Sequence, residues 1–249
     1  MRRFYLSADA IQNGEAAICG ADAHHIKNVL RSEKGDILQL IVTDGQSYRA
    51  RIKSFSKNQV YTEIIAQENI SQTSDLHITV AQSILKDNKT DTLIRQATEL
   101  GADRWISFVS ERSIVRPNVD RMNKKVKRWQ VIARSAAQQC RRLRIPDIHE
   151  DLLDISDIFS LISGKETRGF FFWEGSQIML ESNIKPTPRS VILVFGPEGG
   201  FSEKEAKHAS DSGFMITSLG PRTLRAETAT IAGLSIMQYL YGDFFSKKS

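Results

Sequence analysis

The stretch Val194–Glu205, VFGPEGGFSEKE, decides the reading of the fold. An apolar run stops at Gly196, Pro197, Glu198, Gly199 and Gly200, then restarts as a charged, helix-like segment. Ser202 and Glu205 stand at the spacing of a capping box, so a helix begins there. Strand, glycine loop and helix in that order point to an α/β domain with a parallel sheet. Glycine lets backbone amides approach a ligand closely, and such sheets bind ligands at the carboxyl ends of their strands. A second loop of this kind, GPRTLR at 220–225, follows the strand FMITSL, and the two loops are expected to leave adjacent strand ends. Neither is followed by the Gly-Lys-Ser/Thr of a P-loop, and neither has G-x-G-x-x-G spacing. One such loop alone reads as a tight strand-to-helix turn. Two of them, carrying Glu198 and Arg225, read as a site.

Outward from the loops, GFFFW (169–173) and SVILVF (190–195) are continuous apolar strands, the pattern of a sheet covered on both faces. TLIRQATEL places Leu93, Ile94, Ala97 and Leu100 on one helical face, with Gly101 as the residue that ends the helix. RWISFV is a further strand, and AETATIAGLSIMQYLYGDFF a C-terminal helix. Residues 1–72 read differently, as short strands and turns suited to a small β-barrel. Asp44-Gly45 marks a hairpin there, and QVYTEIIAQE another strand. The polar break SQTSD at 71–75 divides the chain into domains 1–72 and 73–249.

With 41% hydrophobic and 25% charged residues in 249, the composition is that of an ordinary globular protein. No stretch approaches the roughly 20 apolar residues of a membrane span, and MRRFYLSADA lacks the apolar core of a signal peptide. Cys19 and Cys140 are far apart and in no metal-ligand spacing, which suits thiols in a reducing cytoplasm. The adjacent His24 and His25 point in different directions and have no third ligand near in sequence, so no metal is expected. Charge is the less ordinary feature. Between Arg121 and Arg144 there are nine basic residues and no acidic one, so a net +5 leaves −4 for the rest of the chain. A basic stripe in one segment points to a nucleic-acid partner, against the alternative of a solvated helix face. On that helix Val126, Trp129, Ala133, Ala136 and Cys140 share a stripe. Trp129 could stack on a base, but its place on the stripe favours the core.

VFGPEGGFS together with SLGPRTLRAETA closely resembles the signature of the RsmE family of ribosomal RNA methyltransferases. RRFYL, HHIKNVLR, ATELGAD, SERS, AAQQ and RIP extend the resemblance over nearly the whole chain. It implies a SPOUT-type α/β domain with a C-terminal trefoil knot, preceded by a PUA-like β-barrel. It implies transfer of a methyl group from S-adenosylmethionine to N3 of one uridine in 16S rRNA, by a homodimer. Carried onto this chain, the cofactor residues are Phe195, Gly196, Gly200, Leu219, Gly220, Leu224, Arg225, Thr228 and Ala229. The RNA-binding residues are Arg2, Arg3, Lys27, Arg31, Lys86, Lys124, Lys125, Lys127 and Arg142. Departures fall at Asp87-Asn88, where the family has Gly-Asp, and at Ser107 for proline. Ser135 and Arg141 stand where the family favours glutamate and glycine. All leave the two glycine loops intact.

Uridine N3 carries a weakly acidic imide proton and attacks well only as that proton leaves, so the site wants a base, a cation for the developing charge, or both. Arg225 is the candidate cation, and Glu227 the likelier base or orienting group, with Glu198 in the neighbouring loop. The structural alternatives are that Glu227 caps the last helix and pairs with Arg225, and that Glu198 only fixes its own loop. Two further readings stay open: an RNA-binding assembly factor with decayed catalysis, and a methyltransferase for another RNA position. The last helix argues for the dimer on its own, against the alternative that the N-terminal barrel folds back to cover it and leaves a monomer. Ile231, Leu234, Ile236, Met237, Tyr239, Leu240 and Tyr241 surround most of its circumference, and a helix apolar nearly all round is buried on more than one side.

Overall fold

A computed structural model describes residues 3–42, 45–69, 74–162, 166–180 and 187–244. Arg2 and most of the expected boundary SQTSD lie outside them. The chain forms two compact units, Met1–Gln72 with Ala137–Ile145, and Thr73–Ala136 with Pro146–Ser249.

The first unit holds strands β1 (Arg3–Leu6), β2 (Ile11–Gln12), β3 (Glu15–Cys19), β4 (Ile37–Val42), β5 (Ser47–Phe55) and β6 (Gln59–Glu68). They form one sheet in the order β1-β4-β5-β6-β3-β2, a path left open at β1 and β2, so the expected barrel is a half-barrel. β5 alternates buried Ala50 and Ile52 with exposed Arg49, Arg51 and Lys53, as a strand with one wet face must. The expected hairpin joins β4 to β5, with Gly45 at φ +91°. A short helix, α1 (Gly20–His24), runs into a π turn at His25–Val29, where the sequence reading had only strands and turns. Both cover a core of Phe4, Leu6, Ile18, Ile26, Leu40, Ile52 and Val60. The segment after residue 136 joins this unit because Ala137, Leu143 and Ile145 pack on Tyr5 and Ile41.

The second unit is built on β7 (His77–Ser83), β8 (Arg104–Val109), β9 (Asp147–Ile148), β10 (Leu153–Asp154), β11 (Thr167–Phe172), β12 (Ser190–Phe195) and β13 (Met215–Thr217). Its order is β10-β8-β7-β12-β11-β13, with β9 also on β8, and every pairing is parallel. Val191 through Phe195 are all buried, because helices cover both faces. The helices are α2 (Lys89–Glu99), α3 (Val119–Cys140), α4 (Ile155–Phe159), α5 (Glu203–Asp211) and α6 (Ala226–Tyr241). Ile106, Phe108, Phe171, Ile192 and Val194 meet α4 and α5 on one face. On the other, α6 reaches the stacked rings of Phe172 and Phe195 through Gly233. A Cβ there would stand 2.7 Å from Phe195.

Two expectations change in this sheet. FMITSL contributes only Met215–Thr217 as strand. β11 also lies between β12 and β13, so the two glycine loops do not leave adjacent strands. A third loop, the one after β11, is interposed. Trp129 is fully buried, with Nε1 donating to Asp91 at 2.9 Å, which is the core reading.

Candidate cofactor cleft

Because the strands are parallel, the loops after β7, β8, β11, β12 and β13 share one edge of the sheet. Three of them build an open cleft of about 160 Å³, beside a cavity of about 450 Å³ that shares Glu174 and Thr223 with it. Phe172 and Phe195 line it together with Gly196, Glu198 and Gly200 from the loop after β12. Thr223, Leu224, Ala226 and Ala229 come from the last loop and α6. Glu174 lines it too, and also lines an adjoining cavity with Gly220 and Arg222. Of the expected cofactor residues, Phe195, Gly196, Gly200, Leu224 and Ala229 face the cleft and Gly220 the adjoining cavity. Leu219, Arg225 and Thr228 line neither.

The loops are held by bonds the sequence did not advertise. Gly200 has φ +66°, and Glu174 lies against its α-carbon, where a Cβ would stand 3.0 Å from the glutamate Cδ. The loop after β11 is stitched to β13: Trp173 N–H donates to Thr217 O at 3.0 Å and Ser218 N–H to Ile178 O at 2.8 Å. Arg112 Nη1 donates to Gly199 O at 3.2 Å. The capping box forms as expected, with Ser202 Oγ also donating to Glu111 at 2.7 Å. Gln82, fully buried, donates to Gly196 O at 2.9 Å and accepts from Thr230 Oγ1 at 2.5 Å. That pair ties the first loop to α6 and occupies the Gly196 carbonyl, while Gly200 N–H closes the loop on Pro197 O at 3.0 Å.

The charged residues separate into two roles. Glu198 neither floats nor bonds only its own loop. Its Oε1 accepts from the Lys86 backbone N–H at 3.1 Å and from Lys89 Nζ at 3.2 Å. Burial alone would raise the Glu198 pKa, but its own backbone N–H, that of Lys86 and the Lys89 ammonium outweigh it and hold it below the ordinary value. Glu227 sits in the first turn of α6 and pairs with Lys89 at 3.3 Å, not with Arg225. Its Oε2 is buried and has no hydrogen-bond partner among the described residues. Arg225 takes the N-cap position itself, exposed, and makes no ion pair among the described residues. Lys89 is therefore a site residue that sequence reasoning missed. The available signal was a lysine at the first position of a helix, where the dipole disfavours a cation.

The expected RNA contacts divide as well. Arg3 donates to Gln39 at 2.8 Å and to the Arg141 carbonyl, and Lys27 to Ser56 O at 2.6 Å, so both head groups serve the half-barrel itself. The Arg142 carbonyl accepts from Tyr5 at 2.5 Å. Arg31, Lys86, Lys124 and Lys127 are exposed, and Lys125 lies 5.8 Å from the Trp129 ring. Among the described residues, no cluster of His, Cys, Asp and Glu could hold a metal, and no helix is long and apolar enough to cross a membrane.

Among the described residues, the charged side chains lining the cleft are the carboxylates Glu174 and Glu198. With an apolar floor and no cation, it fits a phosphate-free, positively charged nucleoside such as S-adenosylmethionine. A parallel α/β sheet with a cleft at its carboxyl strand ends is an arrangement that suits a nucleoside cofactor. Residues 72–238 match the RNA methyltransferase domain and 18–65 the RNA methyltransferase PUA domain. The chain belongs to the family of ribosomal RNA small subunit methyltransferase E. It is 31% identical over 251 residues to that protein of Bacillus subtilis, covering 96% of both chains. It is 30% identical to that of Aquifex aeolicus, covering 79% of this chain and 83% of the other. Among solved structures it is similar to the Neisseria gonorrhoeae enzyme bound to S-adenosyl methionine, with TM-score 0.87, 30% identity and 98% and 99% coverage. A Legionella pneumophila methyltransferase in complex with SAM gives TM-score 0.84, 30% identity and 95% and 96% coverage.

Proposed function

We propose that the chain transfers a methyl group from S-adenosylmethionine to N3 of one uridine in the 16S rRNA of the small ribosomal subunit. The observation that carries this is the cleft between glycine loops whose charged lining is carboxylate alone. Bound there, the cofactor supplies an electrophilic methyl on a positively charged sulfur. The protein's part is to seat the nucleoside and ready the acceptor. Phe172, Phe195 and Leu224 offer apolar surface, and backbone groups of the two glycine loops the hydrogen bonds. Arg225, exposed and unpaired, meets the charge that spreads onto uridine O2 and O4, or a neighbouring phosphate. A carboxylate held ionised by three donors is a weak proton acceptor, so Glu198 is an anchoring group. The base or orienting role falls to Glu227 and its unpartnered oxygen.

The same reading includes a cytoplasmic homodimer, a trefoil knot around the cofactor loops, and RNA held by Arg2, Arg31, Arg142, Lys86 and the basic face of α3. The dimer is supported by α6, which buries Leu234 and Met237 but leaves Ile236 36% and Tyr239 56% exposed. Mass spectrometry of 16S rRNA from a strain lacking the gene tests the reaction. One N3-methyluridine should vanish, return with the wild-type gene, and stay absent with Arg225→Ala. An unchanged N3-methyluridine would refute the proposed acceptor.

A further inference from the structure

Lys89 opens α2, where a cation opposes the positive end of the helix dipole. Its surroundings supply a reason for it. The ammonium lies 3.2 Å from Glu198 Oε1 and 3.3 Å from Glu227 Oε1. Those carboxylates come from the 196–200 loop and the first turn of α6, two walls of one cleft, since Glu198, Ala226 and Ala229 all line it. Among the described residues no other cation pairs with either carboxylate. The backbone N–H of Lys86, three residues earlier, fixes Glu198 from the same turn.

We propose that Lys89 is a positioning residue of the cofactor cleft: lying between Glu198 and Glu227, it holds the glycine loop and the start of α6 at the separation that the nucleoside needs. This rests on the reading that S-adenosylmethionine occupies the cleft. Without the ammonium, two carboxylates of like charge would face one another across the gap and push the walls apart, until one took up a proton. Two other cations stand close in sequence, Lys86 and Arg225; both are exposed and neither side chain pairs with these carboxylates among the described residues. Lys86 presents its backbone N–H and has an exposed side chain, while Asp91 on α2 is already occupied by Trp129 at 2.9 Å and Arg128 at 2.6 Å. Burial by itself would lower the Lys89 pKa, but the hydrogen bonds to Glu198 and Glu227 raise it above the ordinary 10.5. Lys89 therefore stays charged at neutral pH and loses its charge only as pH rises through that raised value.

The test is calorimetric binding of S-adenosylmethionine to the full chain, from neutral to mildly acidic pH. Lys89→Met should weaken binding at neutral pH by roughly tenfold, the scale of coupling between residues in one ion-pair network. Two features separate a charge clamp from mere packing. Affinity should recover as pH falls, and Lys89→Met with Glu227→Gln, which removes one of the repelling charges, should recover it at neutral pH. Lys89→Arg should stay close to wild type. Should Lys89→Met not fold, Lys89→Arg against Lys89→Gln makes the same comparison. Unchanged affinity in Lys89→Met, or a loss that neither acid nor Glu227→Gln relieves, overturns the proposal. A wild-type chain that does not bind the cofactor overturns instead the functional reading on which it rests.

Discussion

Replacing Gly200 by alanine imposes two costs of different kinds on the cofactor loop, and they can be measured apart. The first is conformational. At φ +66° an L-residue sits in the left-handed region, which costs about 1–2 kcal/mol and which no neighbour can relieve. The second is steric. The new methyl would stand 3.0 Å from Glu174 Cδ and closer still to its carboxylate oxygen. That carboxylate is the far end of a flexible side chain, so it can swing away cheaply, but in doing so it leaves the junction of the two cavities it lines. If the strained loop must return to its native path to hold the nucleoside, 1–2 kcal/mol weakens cofactor binding by about 5- to 30-fold, before any loss of Glu174.

Calorimetry with S-adenosylmethionine on wild type, Gly200→Ala, Glu174→Ala and the double variant separates these costs. In the double variant the clash is gone and the strain remains. Its loss should therefore equal that of Glu174→Ala plus the conformational part alone, and fall short of the sum of the two single losses. Wild-type affinity in Gly200→Ala would refute the claim that this backbone position forms the cofactor seat. Strict additivity would refute the placement of Glu174 against it.

Arg225→Ala should lower kcat on the order of 100-fold, as loss of a contact to developing charge does, while cofactor affinity stays within a few-fold; equal losses in both would make Arg225 a structural residue of its loop. Neutralising Lys124, Lys125 and Lys127 together should weaken RNA binding and reduce the slope of log affinity against log salt by about 2, near 0.7 for each phosphate contact removed from a single strand. An unchanged slope would return this face of α3 to solvent. Thr230→Val strips Gln82 Oε1 of its donor in a fully buried place, so urea unfolding should report a loss of about 1–3 kcal/mol, with Thr230→Ser close to wild type. Arg141→Gly should leave stability unchanged or raise it by up to about 1 kcal/mol, because Arg141 holds φ +63° just past the end of α3; a clear loss would mean that its side chain does structural work.

Much of the second unit was legible in the chain. SVILVF, RWISFV and the Ser202/Glu205 capping box fall where they were expected, because continuous apolar runs and caps are local signals. The departures from the family pattern also become readable in physical terms. Asp87 and Arg141 stand where the family has glycine, and both adopt positive φ, +56° and +63°. The backbone keeps the turn that a glycine would make freely, and aspartate is among the side chains that tolerate it best. Less local features were hidden. The short helix and π turn around His24 and His25 carry no clean 3.6-residue period, and Ala137–Ile145 joins the first unit through packing that only the folded chain reveals.

What the sequence could not show about the site has a single cause, the order of the strands. From SVILVF and FMITSL, the two glycine loops read as neighbours, and a site built from two neighbouring loops needs only their own residues. The sheet instead inserts β11 between β12 and β13, so a third loop opens into the same cleft and brings Glu174 with it. Gly200 then has a second reason to be glycine, since its bare α-carbon is what lets Glu174 lie there. The wider spacing also needs ties across it. Gln82 from β7 bonds Gly196 on one side and Thr230 on the other, and Lys89 from α2 does the same between Glu198 and Glu227. Both ties come from the strand–turn–helix segment that begins at β7, about 110 residues before the first loop, and neither carries a motif. On the proposed reading the motifs mark what touches the ligand, while the residues that set the width of its seat are ordinary polar side chains whose role appears only once parallel pairing brings distant strand ends to one edge.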